Sequence, residues 1–348
     1  MNKKAILAVA GLAVATLGLV ACGQRGNTEN TETKVKATLV TGAGGVDDKS
    51  FSQSAWEGLE AWGKSQGLSE GNGYGYYQSD SESDYTNNFE QAATNGSNLV
   101  IGIGFMVKNA VEQAAKDHPE VNYLIIDEVI EGQDNVTSAT FADQEAAYLA
   151  GVAAAKTTEK KQVGFIGGME SEVVKRFEKG FEAGVHSVDP DIKVQVDYAG
   201  SFTDASKGKS LAQAQYAGGA DVIYHAAGGS GAGVFKEAKD LNETRDEADK
   251  VWVIGVDQDQ SAEGEYTSKD GKKANFVLTS TIKEVGAALK DVAEKTSDGN
   301  FPGNQTIVYG LKSGGVNLVT GQLSSDAKAA VSDAKEAIIA GNINVPEK

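Results

Sequence analysis

From Val35 onward, short uninterrupted apolar runs alternate with stretches whose apolar residues recur every three to four positions. A run that is apolar on consecutive residues leaves no face for water, and it fits a parallel strand covered by helices on both sides. Candidate strands fall at residues 35–41, 75–78, 99–103, 123–126 and 137–141. A second series falls at 162–166, 193–198, 221–225 and 251–256, then 276–279 and 306–309. Between strands, Ala55, Leu59 and Trp62 share one side of a helix over 52–66, and Val174, Phe177, Phe181 and Val185 do so over 173–187. This order predicts α/β architecture with open, doubly wound parallel sheets. The series restarts near Gln162, after a helix over 144–156, so two similar lobes are expected. Gly supplies 42 of 348 residues, well above the usual share of roughly 7%, which suits many tight turns after strands.

The first residues read as an address rather than as part of the fold. Lys3 and Lys4 precede an uncharged apolar stretch, 5–20, which ends in Leu19-Val20-Ala21-Cys22 and then Gly23. A positive start, a short apolar core and small residues before a cleavage point describe a secretory signal. The ending resembles the bacterial lipobox, in which the Cys thiol receives a diacylglyceryl group and cleavage occurs just before it. Residues 1–21 are therefore expected to be a lipoprotein signal peptide, with 22–34 as a polar, lipidated tether beginning at Cys22. An uncleaved membrane anchor with an incidental cysteine is the plainer alternative. Two glyceride chains suffice for stable anchoring, which puts the chain on the outer face of the bacterial cytoplasmic membrane. Cys22 is the only cysteine, so neither an intramolecular disulfide nor a Cys/His zinc site is expected.

The formal net charge of −17 argues against nucleic acid as a partner, because affinity for it comes mainly from cations placed on phosphates. In open parallel sheets, ligands sit beyond the carboxyl ends of the strands. The residues there are Gly42 to Phe51, Gly104-Phe105-Met106, Asp127-Glu128, Gly167-Gly168-Met169, Ala226 to Gly231 and Asp257-Gln258-Asp259. Carboxylates accept hydroxyl hydrogen bonds, and an aromatic ring offers a flat apolar face. This combination suits an uncharged, polyhydroxylated and partly aromatic ligand.

Enzyme motifs come close and fail. Gly208-Lys209-Ser210 resembles the end of a phosphate-binding loop, but Thr203 stands where its first Gly belongs, and the stretch has a helical pattern. Gly42-Ala43-Gly44 opens like a dinucleotide fingerprint, but Asp47 replaces the third Gly and would repel a pyrophosphate. Ser230 sits at a strand-to-helix turn like a hydrolase nucleophile, yet His118, His186 and His225 all precede it. Asp47 with Asp48, and Asp257 with Asp259, fit paired catalytic carboxylates or cation ligands. They equally fit solvated turn residues and helix caps, the plainer reading for Asp47 and Asp259.

The same residues carry a family resemblance. The lipobox, Gly44-Gly45-Val46-Asp47-Asp48-Lys49-Ser50-Phe51 and Trp56-Glu57-Gly58 are followed in order by further matching segments. These are Asp221-Val222-Ile223-Tyr224, Ala226-Ala227-Gly228-Gly229-Ser230-Gly231, Ile254-Gly255-Val256-Asp257-Gln258-Asp259 and Thr279-Ser280-Thr281-Ile282-Lys283. Together they resemble the basic membrane protein family of bacterial lipoproteins, in its nucleoside-binding, PnrA-like branch, over essentially 34–345. The resemblance implies a type I periplasmic-binding-protein fold of two lobes joined by a three-segment hinge. The lobes are expected at 35–140 plus about 259–302, and at 141–258 plus about 303–348. It further implies a monomer without cofactor or metal that captures nucleosides, purine nucleosides foremost, and delivers them to an ABC permease driven by ATPase subunits.

By the same resemblance, Asp48 would bond the base edge and Phe51 would stack on the base. Asp127 and Asp257 would hold ribose hydroxyls, and Gly228, Gly229 and Ser230 would bring backbone donors to the sugar. Lys283 would reach the ligand or orient a carboxylate. Phe202 is the expected second stacking ring, with Phe105 and His225 as rivals. Ser52 stands where relatives often carry Asn, which bears on the contact to the base edge. Two other functions use the same fold: a surface nucleoside hydrolase, which would release free base, and a sensory or adhesive lipoprotein.

Overall fold

The computed structural model describes residues 35–348. The expected signal peptide 1–21, the tether 22–34 and Cys22 lie outside the described residues. The chain opens with β1 (Ala37–Thr41), α1 (Phe51–Ser65), β2 (Ser69–Glu70), β3 (Gly73–Gln78) and α2 (Tyr85–Thr94). It continues through β4 (Leu99–Ile103), α3 (Lys108–Asp117), β5 (Asn122–Ile126) and β6 (Val136–Phe141). Then come α4 (Asp143–Thr157), β7 (Gln162–Gly167), α5 (Glu172–Val188), β8 (Lys193–Tyr198), α6 (Ala205–Ala217) and β9 (Val222–Ala226). Next are α7 (Gly231–Asn242), β10 (Trp252–Gly255), a small hairpin of β11 (Glu265–Thr267) and β12 (Lys273–Asn275), and β13 (Val277–Lys283). The last elements are α8 (Val285–Ser297), β14 (Gln305–Tyr309), β15 (Val316–Leu318) and α9 (Ser325–Ile339).

Two sheets result, one of order β14-β6-β5-β4-β1-β3-β2 and one of order β15-β13-β10-β9-β7-β8. Every pairing in them is parallel except β13 with β15. The runs β3-β1-β4-β5-β6 and β8-β7-β9-β10-β13 share one winding, so the expected pair of similar doubly wound lobes is present. The central strands are buried on both faces, as β1, β4 and β9 show along their whole length.

The expected lobe boundaries need correction. β13 lies in the range assigned to the first lobe, 259–302, but it pairs with β10 in the second sheet. β14 lies in the range assigned to the second lobe, 303–348, but it pairs with β6 in the first. The chain completes the fifth strand of the second sheet before it crosses back, and only then packs α8 against α1. The apolar run stops at residue 279, yet β13 continues through Ser280, Thr281 and Ile282 to Lys283, because buried hydroxyls and a buried ammonium find partners inside. The chain thus crosses between lobes at 141–143, 283–285 and 309–316. Hydrogen bonds knit these crossings: Ala142 N–H to Tyr309 O at 2.9 Å, Glu284 N–H to Gly315 O at 2.9 Å, and Leu311 N–H to Glu145 Oε2 at 2.7 Å.

Helix α4 is buried on nearly all sides through Ala154, and it packs on α5 at backbone distance. A Cβ on Gly184 would lie 2.1 Å from the Tyr148 carbonyl oxygen, and one on Gly180 would lie 2.3 Å from that of Gln144. Glycine here permits the close approach that sets Asp143, in the first turn of α4, against Arg176 of α5. Gly184→Ala should therefore push the helices apart at a cost of about 1–3 kcal/mol. Thermal unfolding followed by circular dichroism should show a midpoint several degrees lower, with the same folded spectrum.

Candidate ligand-binding site

A cavity of about 210 Å³ lies between the lobes, beyond the carboxyl ends of the parallel strands. The first lobe contributes Asp48, Phe51, Phe105 and Asp127 to its wall, and the second contributes Phe202, Gly228, Gly229, Asp257 and Lys283. This is the location that the strand order predicts for a ligand in such sheets.

Asp48 has two tasks. Its Oδ1 accepts from the Ser50 and Gln53 amides at 2.9 and 3.0 Å, and its Oδ2 accepts from the Ser52 amide at 3.0 Å. It thereby satisfies first-turn donors of α1 that would otherwise be orphaned, while also lining the cavity. Burial raises its pKa, and the three amide bonds oppose that rise. Ser52 and Phe51 line the same wall.

Asp127 and Asp257 occupy equivalent positions, each just after a strand end, and both adopt left-handed backbone with φ of 70° and 67°. Asp tolerates this region better than most residues, and such strain gathers at functional sites. Asp127 Oδ2 accepts from Lys283 Nζ at 2.6 Å. Its Oδ1 is buried and has no partner among the described residues. Asp257 Oδ2 accepts from the Ser50 hydroxyl across the cleft. Burial raises the Asp257 pKa to about 7, against the opposing pull of the Lys283 charge and the Ser50 bond.

Lys283 ends β13 and is almost wholly buried. Its ammonium lies 2.6 Å from Asp127 and 3.1 Å from Asp143 Oδ1. It also stands 5.0 Å from the ring centroids of Phe51 and Phe141 and 5.6 Å from that of Phe177, where ring quadrupoles favour a cation. The nearby carboxylates hold Lys283 charged despite its burial. Lys283 thus lines the cavity and pairs with Asp127.

The other expected residues divide. Phe105 and Phe202 meet from opposite lobes with ring centroids 6.3 Å apart, edge to face. Gly228, with φ of 53°, and Gly229 line the cavity. Ser230 is set behind them: its amide donates to Phe202 O at 3.0 Å. Its hydroxyl donates to Ser201 O at 2.8 Å and accepts from the Asp204 amide at 2.9 Å. The backbone donor expected for the sugar is thus spent on the loop that carries Phe202. His225 is fully buried off the cavity, with Nε2 beside Gln260 Oε1 at 3.2 Å, and burial lowers its pKa to about 4. Asp47 is exposed, and Asp259 accepts from the Ser261 amide at 3.0 Å, so both take the turn role. Gly208-Lys209-Ser210 lies within α6. No group of three potential metal ligands occurs among the described residues.

Two residues behind the site escaped sequence reasoning. Asp143 is fully buried, and Arg176 Nη2 and Nε reach its Oδ2 at 3.1 and 3.3 Å. Asp143 and Glu145 open an alanine-rich helix, which looks like ordinary first-turn acid. The available signal was that the helix has no polar face to leave in water.

With this geometry in place, residues 35–348 match the family of PnrA-like ABC transporter substrate-binding proteins. The chain belongs to this family. The ABC transporter nucleoside-binding protein BmpA of Lactococcus lactis subsp. cremoris is 55% identical, over 99% of this chain and 100% of its own length. A CD4+ T-cell-stimulating antigen of Listeria innocua is 44% identical over 99% of both chains. An ABC transporter solute-binding protein of Aeropyrum pernix superposes with a TM-score of 0.77 at 25% identity, covering 90% of this chain and 94% of its own. The fold is that of a type I periplasmic binding protein, and the chain is a substrate-binding protein of an ABC transporter, not an enzyme. Removing one member of a buried ion pair costs about 3–5 kcal/mol, because the other is left as an uncompensated charge. Lys283→Met should accordingly lower the melting midpoint by about five to eight degrees in a calorimetric scan, and Lys283→Met/Asp127→Asn should recover part of the loss.

Proposed function

We propose that this protein captures nucleosides, purine nucleosides foremost, in the cleft between its lobes and delivers them unchanged to a membrane permease. The observation that carries this reading is the convergence of the unpartnered Asp127 Oδ1 and the buried Asp257 with Phe51, Phe105 and Phe202 at one cavity. Two carboxylates reached from opposite lobes suit the vicinal hydroxyls of a ribose, and three rings suit a flat heterocycle. A two-ring purine covers more of that aromatic surface than a pyrimidine. Asp48, Asp127, Asp143 and Asp257 outnumber the cations Lys283 and Arg176, so a nucleotide phosphate would meet repulsion. The Lactococcus relative is named a nucleoside-binding protein.

Closure would expel water from the cleft and let the ligand hydroxyls take its place on the two carboxylates. The ligand would bind to one copy of the chain, since both halves of the site lie on one polypeptide. The ionised form of Asp257 is the one that accepts two hydroxyl bonds, and with a pKa of about 7 its population grows between pH 6 and 8. Inosine affinity measured by titration calorimetry should therefore rise up to about tenfold over that range. Asp257→Asn should flatten the profile, and Asp257→Ala should weaken binding by about 30- to 1000-fold. Unchanged affinity in Asp257→Ala would remove this residue from the site, and equal binding of 2′,3′-dideoxyinosine would defeat the ribose grip.

The lipid anchor belongs to the same proposal. Among the described residues, no helix is long and apolar enough to cross a membrane, and the lipobox-like segment ending at Cys22 supplies an attachment of another kind. Cys22→Ser should abolish incorporation of radiolabelled palmitate and shift the protein out of the membrane pellet. A variant that stays membrane-bound and labelled would exclude Cys22 as the attachment point.

A further inference from the structure

Four charged side chains, three of them buried and Arg176 partly so, form one line through the hinge. Arg176 on α5 grips Asp143, Asp143 faces Lys283, and Lys283 grips Asp127. Asp143 lies in the crossing at 141–143, and Lys283 lies in the crossing at 283–285. Asp127 belongs to the first lobe and Arg176 to the second. Neither Asp143 nor Arg176 lines the cavity. Stability does not account for the arrangement, because well-packed apolar residues of similar volume are usually at least as stable as buried ion pairs.

We propose that Arg176 and Asp143 are positioning residues that act through Lys283 to hold the Asp127 carboxylate at the ligand and to tie it to two hinge crossings. The proposal rests on Asp127 being a ligand contact, as argued above. Lys283 is shared between two carboxylates, closer to Asp127 at 2.6 Å than to Asp143 at 3.1 Å. Asp143 can leave the ammonium mostly to Asp127 because Arg176 places two N–H groups on its other oxygen. Without Arg176, Asp143 has only Lys283 for a counter-ion and draws it away. Asp127 then faces the cavity as an uncompensated carboxylate, and the contact between the two lobes at the hinge is lost with it. The line of charge makes the ligand's hold on Asp127 and the closed hinge parts of one balance.

The order of charges gives a test that a merely structural role would not pass. Arg176→Met should weaken inosine binding at least about tenfold and shrink the preference for inosine over its 2′- and 3′-deoxy analogues. Asp143→Asn/Arg176→Met removes one charge of each sign, leaves Lys283 to Asp127 alone, and should return affinity and preference to within about threefold of the starting protein. A ligand-free readout runs beside it: amide hydrogen exchange in peptides covering 141–143 and 283–285 should quicken in the single variant and slow again in the double. Normal binding, preference and exchange in Arg176→Met would overturn the proposal, as would a double variant no better than the single one. If the protein binds no nucleoside while the exchange pattern holds, the nucleoside reading falls and the positioning role stands.

Discussion

The structure turns on one ammonium group. Lys283 is buried where three aromatic rings and two carboxylates meet. Taking a charge of this kind out of water costs several kcal/mol unless opposite charges and hydrogen bonds replace the lost hydration. The partners are supplied from different parts of the fold: Asp127 follows a strand of the first sheet, while Asp143 begins the helix that leads out of it. The pair from Lys283 to Asp127 therefore joins a strand of the second sheet to the end of a strand of the first. A site of this sort links the hydration of a single side chain to the relative placement of two domains.

The opposite side of the cleft repeats the principle with weaker bonds. Asp257 takes the Ser50 hydroxyl, Gln258 Nε2 donates to Ser50 O at 2.9 Å, and Gln260 Nε2 donates to Lys49 O at 2.9 Å. Lys49 and Glu263 form an exposed salt bridge at 2.7 Å, which contributes little in water. Lys49 itself has a left-handed backbone, with φ of 56°, and this turns its carbonyl region toward the second lobe's glutamines. Most of these bonds are to neutral groups and are exchanged readily for water, so they steer closure without locking it. The carboxylates with unspent acceptor capacity, Asp127 and Asp257, then leave a demand for donors that a hydroxyl-bearing ligand can meet.

Much of this was legible in the chain itself. Parallel strands buried on both faces announce themselves as continuous apolar runs, and the strand-end rule then points to the loops that form the cavity. Asp48, Phe51, Asp127, Gly228, Gly229, Asp257 and Lys283 were all reached in that way or through the family pattern, and all of them line the cavity. Where the Ser230 amide points was not legible, because a glycine-rich turn looks the same whether its donors face a ligand or a neighbouring loop, and here it donates to Phe202 O. Asp143, two residues past β6 as Asp257 is past β10, was missed because it resembles an ordinary first-turn acid of α4, and Arg176 because it lies inside α5, where it resembles a surface charge.

Local sequence determined the elements, their order and the cleft loops, since apolar periodicity and turn residues act over a few positions. Which sheet received β13 and β14 was decided by the tertiary structure, because strand pairing depends on edges that residues far along the chain create. The charge line from Arg176 to Asp127 was likewise decided there. Its members are separated by tens to more than a hundred positions, and their energies depend on burial that only the assembled fold provides.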